Sequence, residues 1–243
     1  MTYAEYVAAE LESQVVIETY VQAKQSWWDN KATVYTQDQD GAYFLYELAC
    51  SEEDAAKLTK GVKIKVTGYK GAWAGEIEIM DAKFEFVESE KWVAEATDVT
   101  ALLGTEELIK HQNKFVSFKG MTVAASKDAD GKDVAFLYNW AGSGAAGADL
   151  YFNVSVNGKT YNFCVEKYLC GDGTPAYDAV EALKIGDVID VEGFLYWYNG
   201  VNTHITKVTV AAPAAAAAVK TYADYAAAAV DTPVEVETYV QAK

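Results

Sequence analysis

One segment of about 23 residues occurs twice in this chain. Residues Thr2 to Lys24 read TYAEYVAAELESQVVIETYVQAK, and residues Thr221 to Lys243 read TYADYAAAAVDTPVEVETYVQAK. The two segments match at 14 of 23 positions without a gap, at an offset of 219 residues. Such a match indicates a repeat architecture, in which one unit is used more than once along a chain. The sequence therefore predicts one full period of 219 residues and the start of the next.

A second, weaker similarity lies within this period. The stretch 58–69 (LTKGVKIKVTGY) aligns with 183–194 (LKIGDVIDVEGF). Upstream, residues 43–50 align with residues 162–170 when a gap of one residue is allowed. Because the order is the same in both halves, the period is predicted to consist of two related modules.

The predicted domains follow from these two repeats. Module A covers 1–90 and module B covers 91–211. An Ala-rich linker over 212–219 precedes 220–243, which is predicted to be the helix and first strand of a further module A.

Module A alternates between helix and strand patterns. Ser51 supplies the hydroxyl of a helix N-cap, and three acidic residues follow it. In the turn at Asp38–Gly41, the Asp-Gly pair is expected to supply a positive φ. Apolar spacing and β-branched residues predict, in order, a helix over 3–11, strands over 15–24, 33–37 and 42–48, a helix after Ser51, and strands over 62–66 and 76–87.

Module B repeats this order with two differences. Its first helix is longer, over Val99–Lys110, and a long insertion separates its first two strands. The pair Asn157–Gly158 is a strong signal for a tight hairpin. The remaining elements are predicted as a strand over 115–123, a hairpin over 151–165, a helix over 177–183, and strands over 187–194 and 204–210.

The order of three strands, a helix and two strands, with a fourth strand that ends at Gly68 or Gly193, resembles the OB-fold, a five-stranded Greek-key barrel. The phrases TYAEY, TYVQAK, DGAYF and GVKIKVTGY resemble OB-like repeats of bacterial secreted and cell-surface proteins. The resemblance implies an all-β fold with short flanking helices, built as two tandem OB-fold-like barrels.

Aromatic residues concentrate in the loops that would flank the ligand face of each barrel. In an OB-fold these loops join strands one and two and strands four and five. Flat aromatic rings stack on sugars or bases at little cost in side-chain entropy. An alternative is that the rings cap the open ends of their own barrels or pack between modules. The candidate ligand-binding residues are Trp27, Trp28, Tyr69, Trp73, Tyr138, Trp140, Tyr196, Trp197 and Tyr198.

The charge balance argues against nucleic acid as a partner. The net charge is −16, and all 20 basic residues are lysine. Module A has 8 lysines against 17 acidic residues, and module B has 10 against 15. Affinity for nucleic acid rests on cations along the phosphates, whereas a neutral glycan avoids the repulsion. A local patch of cations remains possible on or beside the fourth strand of module A, at Lys63, Lys65 and Lys70.

Other chemistry has little support in the sequence. Asp128, Asp130 and Asp133 surround Gly131 like a calcium loop, but the distal glutamate of an EF-hand is missing, so they are a weak metal candidate. No set of residues resembles a catalytic triad or dyad, and no cofactor is expected. We therefore expect a protein that is not an enzyme.

These observations favour a non-catalytic repeat module of a bacterial extracellular or cell-surface protein, which binds or presents a ligand through aromatic loops. A glycan or another surface protein is the expected partner. One alternative is a structural repeat of a filament or stalk, assembled head to tail by exchange of residues 220–243. A second alternative is an accessory single-stranded nucleic-acid-binding module of a secreted nuclease. The sequence has no membrane-span pattern, and its first residues have no signal-peptide pattern.

Overall fold

The structure, a computed structural model, describes residues 1–211, 217–218, 222–227 and 234–235. The chain divides into two compact units, Met1–Val210 and Ala211–Lys243. The first unit contains both predicted modules.

Module A is a closed five-stranded barrel. Its strands follow the order β1-β2-β3-β5-β4, in which β3 and β5 are parallel and the other pairs are antiparallel. Inward-facing side chains such as Val15, Ile17 and Leu45 fill the barrel. The elements are α1 (Tyr3–Ala8), β1 (Gln14–Lys24), β2 (Lys31–Gln37), β3 (Ala42–Ala49), α2 (Glu52–Lys57), β4 (Lys63–Trp73) and β5 (Glu76–Phe86).

Both helices of module A have caps that the sequence encodes. Thr2 and Glu5 form a capping box at the start of α1, and the Ser51 hydroxyl accepts from the Asp54 N–H at the start of α2. At the other end of α1, the buried Lys70 ammonium donates to the carbonyls of Tyr6, Val7 and Ala9 at 2.8–3.0 Å. This lysine fixes α1 on the barrel by satisfying its C-terminal carbonyls.

Module B forms a second closed barrel of the same topology. Its five principal strands follow β7-β11-β12-β14-β13, and an additional pairing of β11 with β7 closes the ring. Phe118, Phe152 and Phe163 lie at its centre. The elements are β6 (Thr97–Asp98), two 3₁₀ turns (Thr100–Leu102 and Leu108–His111), β7 (Phe115–Ala124), β8 (Ser126–Lys127), β9 (Asp133–Val134), β10 (Leu137–Tyr138), β11 (Leu150–Val156), β12 (Lys159–Val165), α3 (Pro175–Glu181), β13 (Val188–Phe194) and β14 (His204–Val210).

The two barrels therefore confirm the predicted all-β fold of two tandem OB-like barrels. The parallel pair β12–β14 is the counterpart of β3–β5, and α3 lies at the same point in the order as α2. The predicted hairpin is present as well, since Asn157 and Gly158 have φ values of 50° and 74° between β11 and β12.

Gly68 and Gly193 align in the repeat, and the structure requires glycine at both positions for the same reason. Each lies at a shift in the pairing register between the fourth and fifth strands of its barrel. A Cβ at Gly68 would lie 2.8 Å from the Met80 carbonyl oxygen, and a Cβ at Gly193 would contact that of His204. Only glycine allows the two backbones to approach so closely.

Two local predictions are wrong. The helix predicted over 99–110 is two 3₁₀ turns separated by a bend around Gly104 (φ 77°), a conformation that interrupts an α-helix. Gly41 is not in the positive-φ region that the Asp-Gly pair was expected to supply. Position 41 requires glycine for a different reason, because the ring of Tyr3 occupies the space that a Cβ atom would need.

The barrels contact each other through aromatic rings on strand faces. Tyr35 on β2 and Phe194 on β13 are both buried and stack with ring centroids 4.6 Å apart. Phe44 on β3 packs edge-on against Tyr35 at 5.2 Å and against Tyr196 of module B at 5.3 Å. The outward face of β2 and β3 in module A is therefore occupied by module B.

The second unit has few described elements. They are β15 (Ala217–Ala218) and β16 (Val234–Glu235), which pair in parallel, and α4 (Tyr222–Ala227). The predicted linker over 212–219 lies mostly outside the described residues, as does most of the strand predicted within 220–243. Among the described helices, none has the length and apolar content to cross a membrane.

Candidate functional site

The candidate site is an open cleft on the outward face of β11 and β12, here called the module B cleft. Along β11 the inward residues Leu150, Phe152 and Val154 are fully buried, so Tyr151 and Asn153 point outward. The cleft has a volume of about 750 Å³. It is lined by Trp140, Tyr151, Asn162, Tyr196, Tyr198, Asn199, Gly200, Val201, Asn202 and His204.

Two loops supply most of this lining. The insertion between β7 and β11 supplies Trp140, which is 74% exposed, and the loop between β13 and β14 supplies Tyr198, which is 55% exposed. In an OB-fold the face of strands two and three, flanked by these same loops, is where ligands bind. The corresponding face of module A is covered by module B, whereas the face of module B is open.

Module A holds the β13–β14 loop in position. The Asn199 N–H donates to the Ala74 carbonyl at 2.6 Å, and the Trp197 N–H donates to the Glu76 carboxylate at 2.8 Å. The ring of Trp197 lies against Gly75, where a Cβ would be 2.8 Å from its Cδ1 atom. The site therefore depends on both barrels, although its lining belongs to module B.

Glu76 is a carboxylic acid buried between the barrels. Its Oε2 atom accepts from Trp197 and, at 3.0 Å, from the Gln112 amide, while Oε1 has no partner. Burial raises the pKa of Glu76 to about 8, and the hydrogen bonds from Trp197, Asn113 and Gln112 oppose that rise. Burial at this site therefore favours the neutral carboxyl.

The floor of the cleft is a stack of Tyr196 on His204, with ring centroids 4.2 Å apart and planes inclined by 21°. Gln25 donates to the Tyr35 hydroxyl at 3.2 Å, and that hydroxyl lies 2.6 Å from His204 Nδ1. Because a hydroxyl can accept from Gln25 and donate at the same time, we expect the Tyr35 hydroxyl to donate to Nδ1, an arrangement in which the His204 proton is on Nε2. Burial lowers the pKa of His204 to about 3, so the ring is neutral.

Removal of the Tyr35 hydroxyl tests this chain of hydrogen bonds. We expect Tyr35→Phe to keep the aromatic packing and to lower the free energy of unfolding by about 1–3 kcal/mol, because His204 Nδ1 loses a buried partner. Urea unfolding measures the loss, and ¹⁵N NMR of the imidazole reports the tautomer. Tyr46→Phe, at an exposed tyrosine of the same barrel, is the control. An unchanged tautomer and stability would contradict the assignment.

The cleft is uncharged, and amides supply its polar groups. Asn162 donates to the Asn153 side-chain oxygen at 2.9 Å, so its own oxygen is available as an acceptor. Asn199 and Asn202 add two more amides. Rings that stack and amides that both donate and accept suit a flat ligand with polar edges.

Of the predicted ligand-binding residues, the structure brings Trp140, Tyr196 and Tyr198 together in the module B cleft. Trp197 is half-buried against module A, and Tyr138 is held by its hydroxyl, which donates to Glu181 at 2.7 Å.

The predicted residues of module A lie elsewhere. Trp27 is half-buried, and its Nε1 donates to the Cys50 carbonyl at 3.0 Å. Trp28 is 57% exposed beneath the Lys31 ammonium and borders a smaller cleft of about 200 Å³ with Tyr168. Tyr69 and Trp73 are exposed on β4.

Sequence reasoning missed Tyr151, Asn162, Asn202 and His204. The alternation of β11 was the available signal for Tyr151, because its neighbours Leu150 and Phe152 point inward. Nothing in the sequence places His204 beside Tyr35, which is 169 residues away.

The weak metal candidate forms a hairpin turn between β8 and β9. The Asp128 carboxylate accepts from the N–H groups of Asp130 and Lys132, and Asp133 pairs with Lys127 at 2.8 Å. Among the described residues no group of three or more His, Cys, Asp or Glu side chains is placed to hold a metal ion.

The predicted lysine patch is dispersed by the fold. Lys63 pairs with Glu18 at 2.7 Å, and Lys70 is buried at the end of α1. Module A therefore gives no continuous track of free cations along β4.

The fold defines the class of protein, a protein of two tandem OB-like barrels, and the outward face of β11 and β12 in module B is open. Neither a protein-family model nor a curated protein sequence matches the chain. Among solved structures, it is similar to the Ifi202 HINa domain in complex with 20-bp double-stranded DNA, at 9% identity and TM-score 0.36, over 82% of this chain and 98% of that chain. It is also similar to a murine DNA-binding protein bound to double-stranded DNA, at 13% identity and TM-score 0.36, over 82% and 98% of the two chains. A third similar structure is the single-stranded DNA-binding protein from Thermus aquaticus, at 13% identity and TM-score 0.26, over 84% of this chain and 95% of that chain.

The structures named above are DNA complexes or a single-stranded DNA-binding protein. They contradict the expectation that nucleic acid is an unlikely partner and the main expectation of a surface module that binds or presents a glycan. The physical reason for the error is that net charge describes an average over the surface. The lining of the cleft itself is uncharged.

Proposed function

We propose that the protein binds a short stretch of single-stranded nucleic acid through its bases, in the module B cleft. The observation that carries this proposal is the combination of Trp140, Tyr151, Tyr196 and Tyr198 with side-chain amides on an OB ligand face. Aromatic rings stack on bases of any sequence, and amides hydrogen-bond to base edges. Double-stranded nucleic acid does not offer its bases in this way, so a single strand is the proposed form.

The net charge of the chain limits how much contacts with phosphates can contribute to this binding. With a net charge of −16 and no arginine, the protein gains little from phosphates. Stacking contributes about 1–3 kcal/mol per base. At the middle of this range, about 2 kcal/mol, two or three bases supply about 4–6 kcal/mol, which corresponds to a dissociation constant between about 1 mM and some tens of micromolar. We infer a non-catalytic role, since the lining includes no carboxylate, cysteine or serine. A location outside the cell stays a prediction from the resemblance of the sequence to surface repeats.

A titration with fluorescein-labelled dT10 and rU10, followed by anisotropy, tests the proposal. A protein with 6–10 phosphate contacts loses about 10³–10⁵ in affinity between 50 and 200 mM salt. Here we expect affinity to stay constant or to rise, because salt screens the repulsion between the acidic protein and the phosphates. A duplex of the same sequence should bind more weakly than the single strand.

Aromatic variants identify the surface that binds. Trp140→Ala and Tyr198→Ala should each reduce affinity by about 5- to 150-fold, the loss of one stacked base. Trp28→Ala is the matched control, because Trp28 is exposed to the same degree as Tyr198 but lies outside the cleft. No binding at millimolar protein, or binding that Trp28→Ala abolishes while Tyr198→Ala preserves it, would contradict the proposal.

A further inference from the structure

We propose that a cavity beside α1 binds a small amphipathic anion, an apolar organic molecule with one carboxylate or sulfonate group. This cavity, here called the α1 cavity, is formed by α1 and strands β3, β4 and β5 of module A and by the 3₁₀ turn Leu108–His111 of module B with the two residues after it. Its volume is about 440 Å³, and small-molecule sites span about 300–1,000 Å³. It shares no lining residue with the module B cleft, so the inference does not rest on nucleic-acid binding.

The interior of the α1 cavity is mainly apolar and aromatic. It is lined by the rings of Tyr3 and Tyr6 and by the aliphatic side chains of Ala42 and Ile77. Tyr3 and Ile77 pack on the core of module A but are only partly buried, so each keeps apolar surface that a ligand can cover. Burial of such surface is the main source of affinity for an apolar molecule.

Two aliphatic side chains of the lining are open to solvent. Val7 on α1 is 57% exposed, and Ile109 in the 3₁₀ turn is 39% exposed. They belong to different modules and border the same cavity. Exposed apolar side chains that lie together around a cavity, rather than singly, are typical of a binding site.

The walls of the cavity are held by hydrogen bonds between the modules. The Gln112 amide donates to the Gly75 carbonyl at 2.9 Å and to the Glu76 carboxylate at 3.0 Å. The Asn113 amide donates to the Ile77 carbonyl at 2.9 Å. Because these bonds fix the lining before a ligand arrives, less entropy is lost on binding.

The charge of the lining is opposite to that of the chain. Lys70 and Lys110 line the cavity, and none of the described residues that line it is acidic, although the chain has 36 acidic residues against 20 lysines. The Lys70 ammonium donates to three carbonyls at the end of α1, so it supplies a positive field rather than a free donor. Burial lowers the pKa of Lys70, and a bound anion opposes that effect. The lining therefore favours an anionic group on the ligand.

Lys110 is the cation that can contact this group directly. Its ammonium pairs with Glu107 at 2.6 Å, and the two side chains are 66% and 61% exposed. A pair this exposed contributes little to stability, so the ammonium can turn from Glu107 to a ligand at little cost. The expected division is that Lys110 binds the anionic group while the rings and aliphatic side chains bind the apolar body.

Fluorescence titrations of the full chain with two probes test the proposal. The probes are 8-anilinonaphthalene-1-sulfonate (ANS) and N-phenyl-1-naphthylamine (NPN), which has the same rings without the sulfonate. We expect ANS to bind the folded protein at one site. Lys110→Glu should weaken ANS by about fivefold or more and leave NPN unchanged, because only ANS carries an anion. Val7→Asp should weaken both probes by about tenfold, because it replaces an apolar contact with a charge.

Matched variants outside the cavity serve as controls. Leu11 is 55% exposed, so Leu11→Asp is the control for Val7→Asp. Lys57 also pairs with a glutamate one turn earlier, so Lys57→Glu is the control for Lys110→Glu. Trp140→Ala tests whether the probes enter the module B cleft. Near-UV circular dichroism shows that each variant keeps its native packing, since ANS also binds partly unfolded states.

Each of four results overturns the proposal. ANS that does not bind the folded protein at millimolar concentration, or that binds Val7→Asp as tightly as the parent chain, shows that the cavity does not take such a ligand. Equal losses of ANS and NPN affinity in Lys110→Glu show that the anionic group is not recognised. Loss of ANS binding in Trp140→Ala places the probe in the module B cleft.

Discussion

Truncation of Phe194 to alanine is expected to lower the free energy of unfolding by about 3–5 kcal/mol, the range for a buried phenylalanine. Phe194 lies at the centre of the contact between the barrels, 4.6 Å from the ring of Tyr35 and 5.3 Å from that of Phe115. It belongs to β13 but packs on the face of β2 and β3 in module A. Its removal leaves a cavity between the barrels as well as lost apolar contact.

The loss should also appear in how the two barrels unfold. In the parent chain the shared aromatic contact couples them, and we expect one transition in urea. In Phe194→Ala the barrels should separate into two transitions, and binding at the cleft should weaken, because Tyr196 lies two residues along the same segment. Phe86→Ala, at an exposed phenylalanine of β5, is the matched control. A loss below about 1 kcal/mol would show that the barrels do not depend on this contact.

Replacement of Glu76 by glutamine should change how stability depends on pH. The pKa of Glu76 is raised to about 8 in the folded protein, mainly by burial, above the ordinary value of 4.5. Between these two values the folded state holds a proton that the unfolded state has released. The contribution of Glu76 to stability is therefore complete below pH 4.5 and is lost as the pH rises toward 8, at about 1.4 kcal/mol per pH unit.

Glutamine keeps the shape of the neutral acid and its acceptor for the Trp197 N–H. We therefore expect Glu76→Gln to flatten the decline in stability between pH 5 and 8 and to be more stable than the parent chain at pH 8. Some decline should remain, since burial also raises the pKa of Glu166, to about 7. His204 acts in the opposite direction, because its lowered pKa removes stability as the pH falls below 6.5.

Urea unfolding at four or more pH values measures this effect. The control is Glu53→Gln, an exposed glutamate paired with Lys57, which should leave the pH profile unchanged. A parallel titration of dT10 binding then tests whether the charge on Glu76 loosens the β13–β14 loop. Identical pH profiles for Glu76→Gln and the parent chain would show that the carboxylate is solvated in the folded protein.

Local chemistry explains which parts of the fold were predictable. The Ser51 cap, the Asn157–Gly158 turn and the alternation of strands each depend on residues close together in the sequence. The segment 99–110 has the apolar spacing of a helix, but it does not form one. Gly104 has a φ of 77°, and the two short turns on either side of it pack on the barrel, which outweighs the helix propensity of the segment. For Gly41 the sequence predicts a positive φ in the turn, which is a local reason for glycine. The structural reason is the ring of Tyr3, 38 residues away in sequence, which leaves no room for a Cβ atom.

The candidate site shows the same division. Aromatic loops drew attention to Trp140, Tyr196 and Tyr198, because flat exposed rings are a property of composition and loop position. No local sequence pattern shows that module B covers the aromatic face of β2 and β3 in module A. That outcome depends on which of two similar barrels covers the other.

The repeat, the two barrels and the order of their strands could be predicted from the sequence, because each of these follows from periodicity, turn chemistry and duplication along the chain. Only the packed structure shows that the outward face of β2 and β3 in module A is covered by module B, that Glu76 and Tyr35 support the cleft from the neighbouring barrel, and that the cleft lies on module B. The reason is physical: burial, stacking and pKa shifts arise from residues brought together over more than 100 positions. Such contacts are properties of the packed surface rather than of any segment.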